Sequence, residues 1–218
     1  EDGAINDRFT QRRDRTVEKE DLHANPKVPH YDFVTPEYQS FDEIQDNKWE
    51  TCRGIGHSFG YNRNEGDEQL LALDELIHMF ADIVSKNGNL LLNVGPMADG
   101  TIPENQQMRL EALGNWLGTN GEAMFDTHPW IRAEGKTSQG LDIRFTTNDN
   151  ALYATLLGTP SESEITIEGL EIPSDCTIRL LGQSDAVQWK QVRSDVSIQL
   201  PQNLPDSSAH CINITGLG

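Results

Sequence analysis

Cysteine is scarce in this 218-residue chain, and it comes in an odd number: Cys52, Cys176 and Cys211. Three thiols make no disulfide framework, so the sequence leans towards a reducing, cytoplasmic setting. Positive charge is scarce as well. Lys and Arg number 17 against 35 Asp and Glu, a net charge of −18. Nucleic acid and anionic membrane both demand basic patches, so neither is an expected partner; a neutral substrate remains compatible, and a solvated surface is the bland reading of the acidity. No apolar run approaches the ~20 residues that span a bilayer. No HExxH or paired CxxC occurs, and His57, His78 and His128 are too scattered to read as a metal site. Gly54-x-Gly56 is followed by no GK[ST] and lacks G-x-G-x-x-G spacing, which removes the phosphate-cradle reading. No cofactor is expected. The sequence starts at Glu1 with no methionine and no signal peptide, which decides little because processing removes either. The sequon Asn213-Ile214-Thr215 matters only in a secreted eukaryotic protein.

What is present is organised around WETCRGIGHSFGYNRNEG, Trp49 to Gly66. It opens as a β-favouring run, Trp49–Arg53, and becomes a loop with glycines at 54, 56, 60 and 66. Glycine at such density allows tight bending and close approach to a ligand, since no Cβ stands in the way. The loop carries Arg53 at its mouth, the rings of His57, Phe59 and Tyr61, and the carboxylate of Glu65 at its far end. A strand, a functional loop and a helix make the repeating unit of α/β enzymes, with chemistry at the strand's C-terminal end.

Around it, residues 1–130 read as βα units. Ala4–Ile5 suggests a short strand, and residues 10–48 a long proline-punctuated connection with a helical turn near Glu18–Leu22. Asp67–Lys86 shows helical spacing of Leu70, Leu73, Leu76, Ile77, Phe80, Ile83 and Val84, with Asp67 and Glu68 in the first turn and Gly88 as the stop. Asn89–Val94 reads as a strand buried on both faces. Pro103 suits the first position of a second helix, with Met108, Leu110, Leu113, Trp116 and Leu117 as its apolar face and Gly118 and Gly121 closing it. Ala123–Phe125 suggests a further short strand. Together these predict four parallel strands and two helices. From Ile131 to Gly218 seven β-rich runs (141–147, 151–157, 164–168, 177–181, 187–191, 196–200 and 210–214), broken at turn signals, predict an antiparallel β-sandwich, a packing module with carbohydrate binding as its weaker option.

Each candidate group has a plain alternative. Glu65 fits a general acid that protonates a leaving oxygen, or an idle loop carboxylate. Arg53 fits a fork that hydrogen-bonds a polar substrate, or half of a structural ion pair. Asp7 and Arg8 would line the same pocket, or pair with each other.

INDRF (5–9), YDFVTPEY (31–38), KWETCRGIGHSFGYNRNEG (48–66), VSKNGNLLLNVGPMADGTIP (84–103) and NGEAMFDTHPW (120–130) resemble bacterial α-L-fucosidases of glycoside hydrolase family 29, in family order and spacing. The resemblance implies a retaining exo-glycosidase that releases terminal α-L-fucose from fucosylated oligosaccharides or glycoconjugates. It makes Glu65 the acid/base and Arg53 a sugar contact. It also implies half of a (β/α)8-like barrel of about four βα units followed by the β-sandwich, because the matched pieces begin just before the family's fifth strand. The family's nucleophilic aspartate precedes the NDR segment, so the sequence lacks its counterpart; Asp7 is a poor substitute. An open half-barrel exposes strand edges that invite pairing, which predicts a homo-oligomer or a separately supplied missing half. The rival expectation is a non-catalytic remnant that binds fucosylated glycans or serves only in assembly.

Overall fold

The computed structural model describes residues 32–217. The Ala4–Ile5 strand, the Glu18–Leu22 turn, Asp7 and Arg8 lie outside that range.

Strand β1 (Trp49–Gly54) and strand β2 (Gly88–Asn93) pair in parallel, with Thr51 opposite Leu90 and Gly54 opposite Asn93. Helix α1 (Leu73–Ser85) makes the crossover between them. On its other edge β1 meets an extended stretch of the long connection. Val34 bridges Trp49 and Glu37 bridges Cys52, both in parallel, and the amides of Glu50 and Cys52 donate to the Val34 and Pro36 carbonyls. Trp49 anchors this layer. Its indole N–H donates to the Lys86 carbonyl at 2.9 Å and its ring meets Phe41 edge-on.

The first helix is shorter than its periodicity predicts. Asp67–Gln69 is a separate 3-10 turn, Leu70 and Ala72 are extended, and α1 begins at Leu73. The cause is a backbone bond from the Leu71 amide to the Ile55 carbonyl, which holds this segment against the end of β1 while Leu70 is buried. The first-turn acids of α1 are therefore Asp74 and Glu75, and Glu75 accepts the Ala72 amide. The stop is also displaced by one residue. Asn87, at φ 75°, takes the left-handed position after the helix. Gly88 is required for another reason: a Cβ there would collide with the Trp49 ring.

β2 is not buried on both faces, since Leu91 is 51% exposed and the strand has one neighbour among the described residues. Its Leu90 and Leu92 border an apolar trough of about 500 Å³ with Phe80, Val84, Leu113 and Leu117. Helix α2 (Glu104–Asn120) follows, with Pro103 just outside its first turn and Met108 60% exposed rather than in the core. The expected strand at Ala123–Phe125 is absent. Gly121–Ala123 is a 3-10 turn, because the Gly121 carbonyl accepts both the Met124 and Phe125 amides while the Ala123 carbonyl takes the Thr146 hydroxyl.

The rest is an antiparallel sandwich. Strand β3 (His128–Lys136) was not expected from the sequence; β4 (Asp142–Thr147), β5 (Ala151–Leu156), β6 (Glu164–Ile167), β7 (Thr177–Leu180), β8 (Gln188–Val192), β9 (Asp195–Gln199) and β10 (His210–Thr215) fall on the seven predicted runs. The 130/131 position lies inside β3. The sheets are ordered β3-β4-β5-β10-β7 and β6-β9-β8. Between them lies a core that includes Phe145, Leu152, Leu156, Ile165, Ile198 and Ile212.

The larger sheet is buried on both sides, because alternate residues of a strand face opposite ways. Leu152 and Ala154 of β5 face the sandwich core, while Ala151 and Tyr153 face α1 and α2 along with Cys211 of β10. Ile77, Ala81 and Trp116 close this second core from the helix side, and the Trp116 indole donates to the Ala209 carbonyl at 2.9 Å. A charged cluster ties α1 to β3 and β4. Lys86 lies 2.9 Å from Asp82 and 2.8 Å from Glu134, and Arg144 lies 2.6 Å from Asp82.

Candidate active site

Two loops meet at the C-terminal ends of β1 and β2. The first, after Gly54, folds back on its own start: a Cβ on Gly54 would stand 2.6 Å from the Ser58 carbonyl oxygen. The second, after Asn93, runs to α2. They are bound to each other by backbone. The Ile55 amide donates to the Asn93 carbonyl, the Asn93 side-chain amide donates to the Phe59 carbonyl, and Gly95 lies so close that a Cβ would approach the Tyr61 nitrogen to 2.6 Å. Gln106 of α2 holds the second loop by accepting the Gly95 amide at 3.0 Å.

Glu65 sits in this junction, partly buried. Its Oε1 accepts two backbone amides of the loop, from His57 at 2.7 Å and Ser58 at 3.0 Å. A turn sets the approach: the Glu65 amide donates to the Asn62 carbonyl, and the Asn62 side chain accepts the Asn64 amide. Gly56 makes room, since a Cβ there would lie 2.5 Å from Oε2. The carboxylate is thus held through Oε1 by two amides of its own loop. The aromatic rings of the loop, Phe59 and Tyr61, remain exposed.

Arg53 closes β1 and is half-buried. Its Nε donates to the Gly54 carbonyl at 3.1 Å, one terminal nitrogen reaches Met79 of α1 at 3.4 Å, and the guanidinium lies 5.1 Å from the centre of the Tyr38 ring. Burial lowers its pKa from the usual value, with Tyr38 and Glu75 pulling the other way. No ion pair joins Arg53 to Glu65 among the described residues. They stand at the two ends of one loop, linked through the Gly54–Ser58 fold-back.

Tyr38 is the residue of this site that sequence reasoning missed. Its hydroxyl accepts the Gly54 amide at 3.1 Å, its ring meets Phe59 edge-on at 5.1 Å, and its own amide donates to the Cys52 carbonyl. It holds φ 54°, a left-handed conformation uncommon for a bulky residue and a frequent mark of functional loops. The available signal was its place at the end of YDFVTPEY, directly after the stretch that pairs with β1. Of the three histidines only His57 belongs to this loop. His57 contributes its amide, His78 bonds the Ser208 carbonyl and His128 the Pro129 carbonyl.

A carboxylate held by backbone amides and a half-buried guanidinium thus stand at the two ends of one loop, at the C-terminal ends of parallel strands, with a β-sandwich behind. Residues 4–122 match the family model described as Alpha-L-fucosidase, and residues 136–215 that of the Alpha-L-fucosidase C-terminal domain. The chain belongs to the α-L-fucosidase family. It is 32% identical over 180 residues to an alpha-L-fucosidase of Branchiostoma floridae, covering 80% of this chain and 40% of that protein. It is 34% identical over 178 residues to the tissue alpha-L-fucosidase of Rattus norvegicus, covering 79% and 38%. Thermotoga maritima alpha-fucosidase solved in complex with fucose superposes with a TM-score of 0.81 at 40% identity, over 98% of this chain and 45% of that one. The chain therefore spans less than half the length of these relatives.

Proposed function

We propose that this chain supplies the acid/base half of a retaining α-L-fucosidase site, with terminal α-L-fucose on a glycan as the substrate. The observation that carries the reading is the clamp on Glu65, a single carboxylate oriented by the His57 and Ser58 amides in a loop whose sequence matches the family. Glu65 would protonate the glycosidic oxygen as the bond to C1 of fucose breaks, and would then take a proton from the water that releases the sugar. Arg53, held over Tyr38, would hydrogen-bond the fucose hydroxyls.

Retention needs a second carboxylate about 5–5.5 Å away, to attack C1 and carry the sugar between the two steps. In this reading it comes from another segment, which completes a (β/α)8-like barrel of which the stretch at 34–37, β1 and β2 are part. The edge of β2 that has no partner among the described residues, and the trough beside it, suit that segment, whether it belongs to a second copy or to a separate polypeptide.

The test is hydrolysis of an aryl α-L-fucoside by the 218-residue chain, alone and mixed with a separately produced N-terminal half. Turnover in either form that falls roughly 100-fold or more in Glu65→Gln supports the reading. Fucose binding without turnover in both forms favours a glycan-binding remnant instead.

A further inference from the structure

Where α1 and α2 meet the sandwich, a cleft of about 720 Å³ opens between the two helices and two stretches of the β-module, the turn after β7 and the approach to β10. Neither Arg53 nor Glu65 borders it. We propose that this cleft is a second ligand site, and that it takes an uncharged oligosaccharide of two or three rings. The inference goes beyond the hydrolase reading and does not depend on it.

The walls are tied together by bonds of their own. His78 of α1 bonds the Ser208 carbonyl at 2.7 Å, and the Trp116 indole of α2 donates to the Ala209 carbonyl at 2.9 Å. On the other side the Leu181 amide donates to the Cys211 carbonyl at 2.8 Å. Gly182, at φ 84°, comes so near α2 that a Cβ would stand 2.7 Å from the Thr119 methyl. Both stretches of the β-module are therefore bonded or packed against their neighbours where they border the cleft.

The lining divides into two kinds of surface. Ile77, Trp116 and Leu180 are buried and apolar. Asp74, Asn115, Gln183 and Asp206 are exposed, and their side chains make no hydrogen bond among the described residues. The His210 ring and the Trp116 N–H, by contrast, are already engaged by the Thr159 hydroxyl and the Ala209 carbonyl.

This division selects the ligand. A sugar hydroxyl both donates and accepts, and carboxylates and side-chain amides together serve both roles. No lysine or arginine borders the cleft, and the chain carries a net charge of −18, so an acidic, sulfated or phosphorylated ligand is disfavoured. An amine needs acceptors alone. Two amides beside two carboxylates, next to an apolar wall, suit the mixed faces of a neutral sugar better. Ligand clefts favour domain junctions, and the volume falls within the ~300–1,000 Å³ of pockets that hold drug-sized molecules, which for a sugar means two or three rings.

The experiment titrates the isotope-labelled 218-residue chain with a neutral trisaccharide, lactose bearing a terminal α-L-fucose, and follows the indole N–H signals of the four tryptophans by NMR. Trp116 is the tryptophan that borders the cleft. Its signal is expected to move along a saturating curve, in Arg53→Ala as in the unsubstituted chain, while that of Trp49 stays in place. Asp206→Ala is expected to raise the dissociation constant about tenfold, through loss of a charge-assisted hydrogen bond, and Asn115→Ala about threefold. Asn115 lies exposed on α2, where alanine favours the helix, so this variant tests the cleft without loosening the fold. A Trp116 signal that stays still, that moves only when Arg53 is intact, or that saturates with unchanged affinity in both cleft variants overturns the proposal. So does a signal moved by spermidine and not by the trisaccharide. None of these outcomes bears on the Glu65 reading, which turnover decides.

Discussion

The hydroxyl of Tyr38 accepts the backbone amide of Gly54 at 3.1 Å, and the same ring lies 5.1 Å from the guanidinium of Arg53. One side chain from outside the β1–α1 loop therefore fixes both the first residue of that loop and the cation beside it. Tyr38→Phe is expected to cost about 1 kcal/mol of stability, because the Gly54 amide loses its acceptor. Tyr38→Ala removes the ring as well and is expected to weaken L-fucose binding several-fold more than Tyr38→Phe does, by freeing Arg53. Calorimetric titration with L-fucose, alongside thermal melts, separates the two effects; equal affinities in both variants would remove the ring from the site's support.

Gly56 is expected to tolerate no side chain, for a reason specific to catalysis. An alanine methyl would stand 2.5 Å from Glu65 Oε2 and must push the carboxylate off the His57 and Ser58 amides. Gly56→Ala should therefore lower turnover by about the same factor as Glu65→Gln, while Gly60→Ala, which meets nothing within 4 Å, should be close to neutral. Parallel rates and melting temperatures for the three variants check this.

The cluster at the end of α1 should make the protein sensitive to alkali. Burial works against the charge on Lys86, whose side chain is 6% exposed, but hydrogen bonds to Glu134 and Asp82 outweigh it and raise its pKa above 10.5. A raised pKa means that the stabilisation is fully present below pH 10.5 and is lost as pH climbs through the higher folded value. Lys86→Met should lower stability by about 3 kcal/mol at neutral pH, by taking a cation away from the Asp82 and Glu134 carboxylates. It should also flatten the alkaline limb of a melting-temperature profile.

His210 should act at the opposite end of the scale. Burial holds its pKa below 6.5, with a hydrogen bond from the ring to the Pro205 carbonyl and the nearby Asp206 opposing the shift. The unfolded chain takes up the proton first, so stability is whole above pH 6.5 and falls as the medium is acidified towards the folded value. Its Nε2 meets the Thr159 hydroxyl at 3.1 Å, an interaction that Gln can imitate without titrating. His210→Gln should therefore shrink the drop in melting temperature between pH 7 and pH 5; an unchanged drop would assign that loss to other groups.

Much of this architecture was legible because local pattern and tertiary role agree. Leu76, Ile77 and Ile83 repeat at helical spacing and are the buried face of α1. Strands β4 to β10 alternate between turn signals and fold where they alternate. Disagreement arose where distant contacts overrode local preference. Leu70 fits the helical period, yet the bond from the Leu71 amide to Ile55 holds its segment extended. β3 escaped notice because Pro129, Gly135 and a register shift between Pro129 and Glu134 break its alternation. The Glu65 position could be read from its loop, but the clamp could not, since it uses backbone amides that every residue possesses. Tyr38 was hidden for a related reason: nothing in a tyrosine announces a left-handed φ.

The second core, on the outer face of the larger sheet, sets how the loops that carry Glu65 and Gly95 hold their shape. α1 and α2 lie against β5 and β10 through Ile77, Trp116, Tyr153 and Cys211, and the loops with Glu65 and Gly95 spring from the N-terminal sides of those two helices. Loosening the sandwich would release the helices and with them the carboxylate's cradle. Amide protons of β10 and α1 would then exchange with solvent through one common opening event rather than two. The β-rich module is in this sense the foundation on which the two loops are cast.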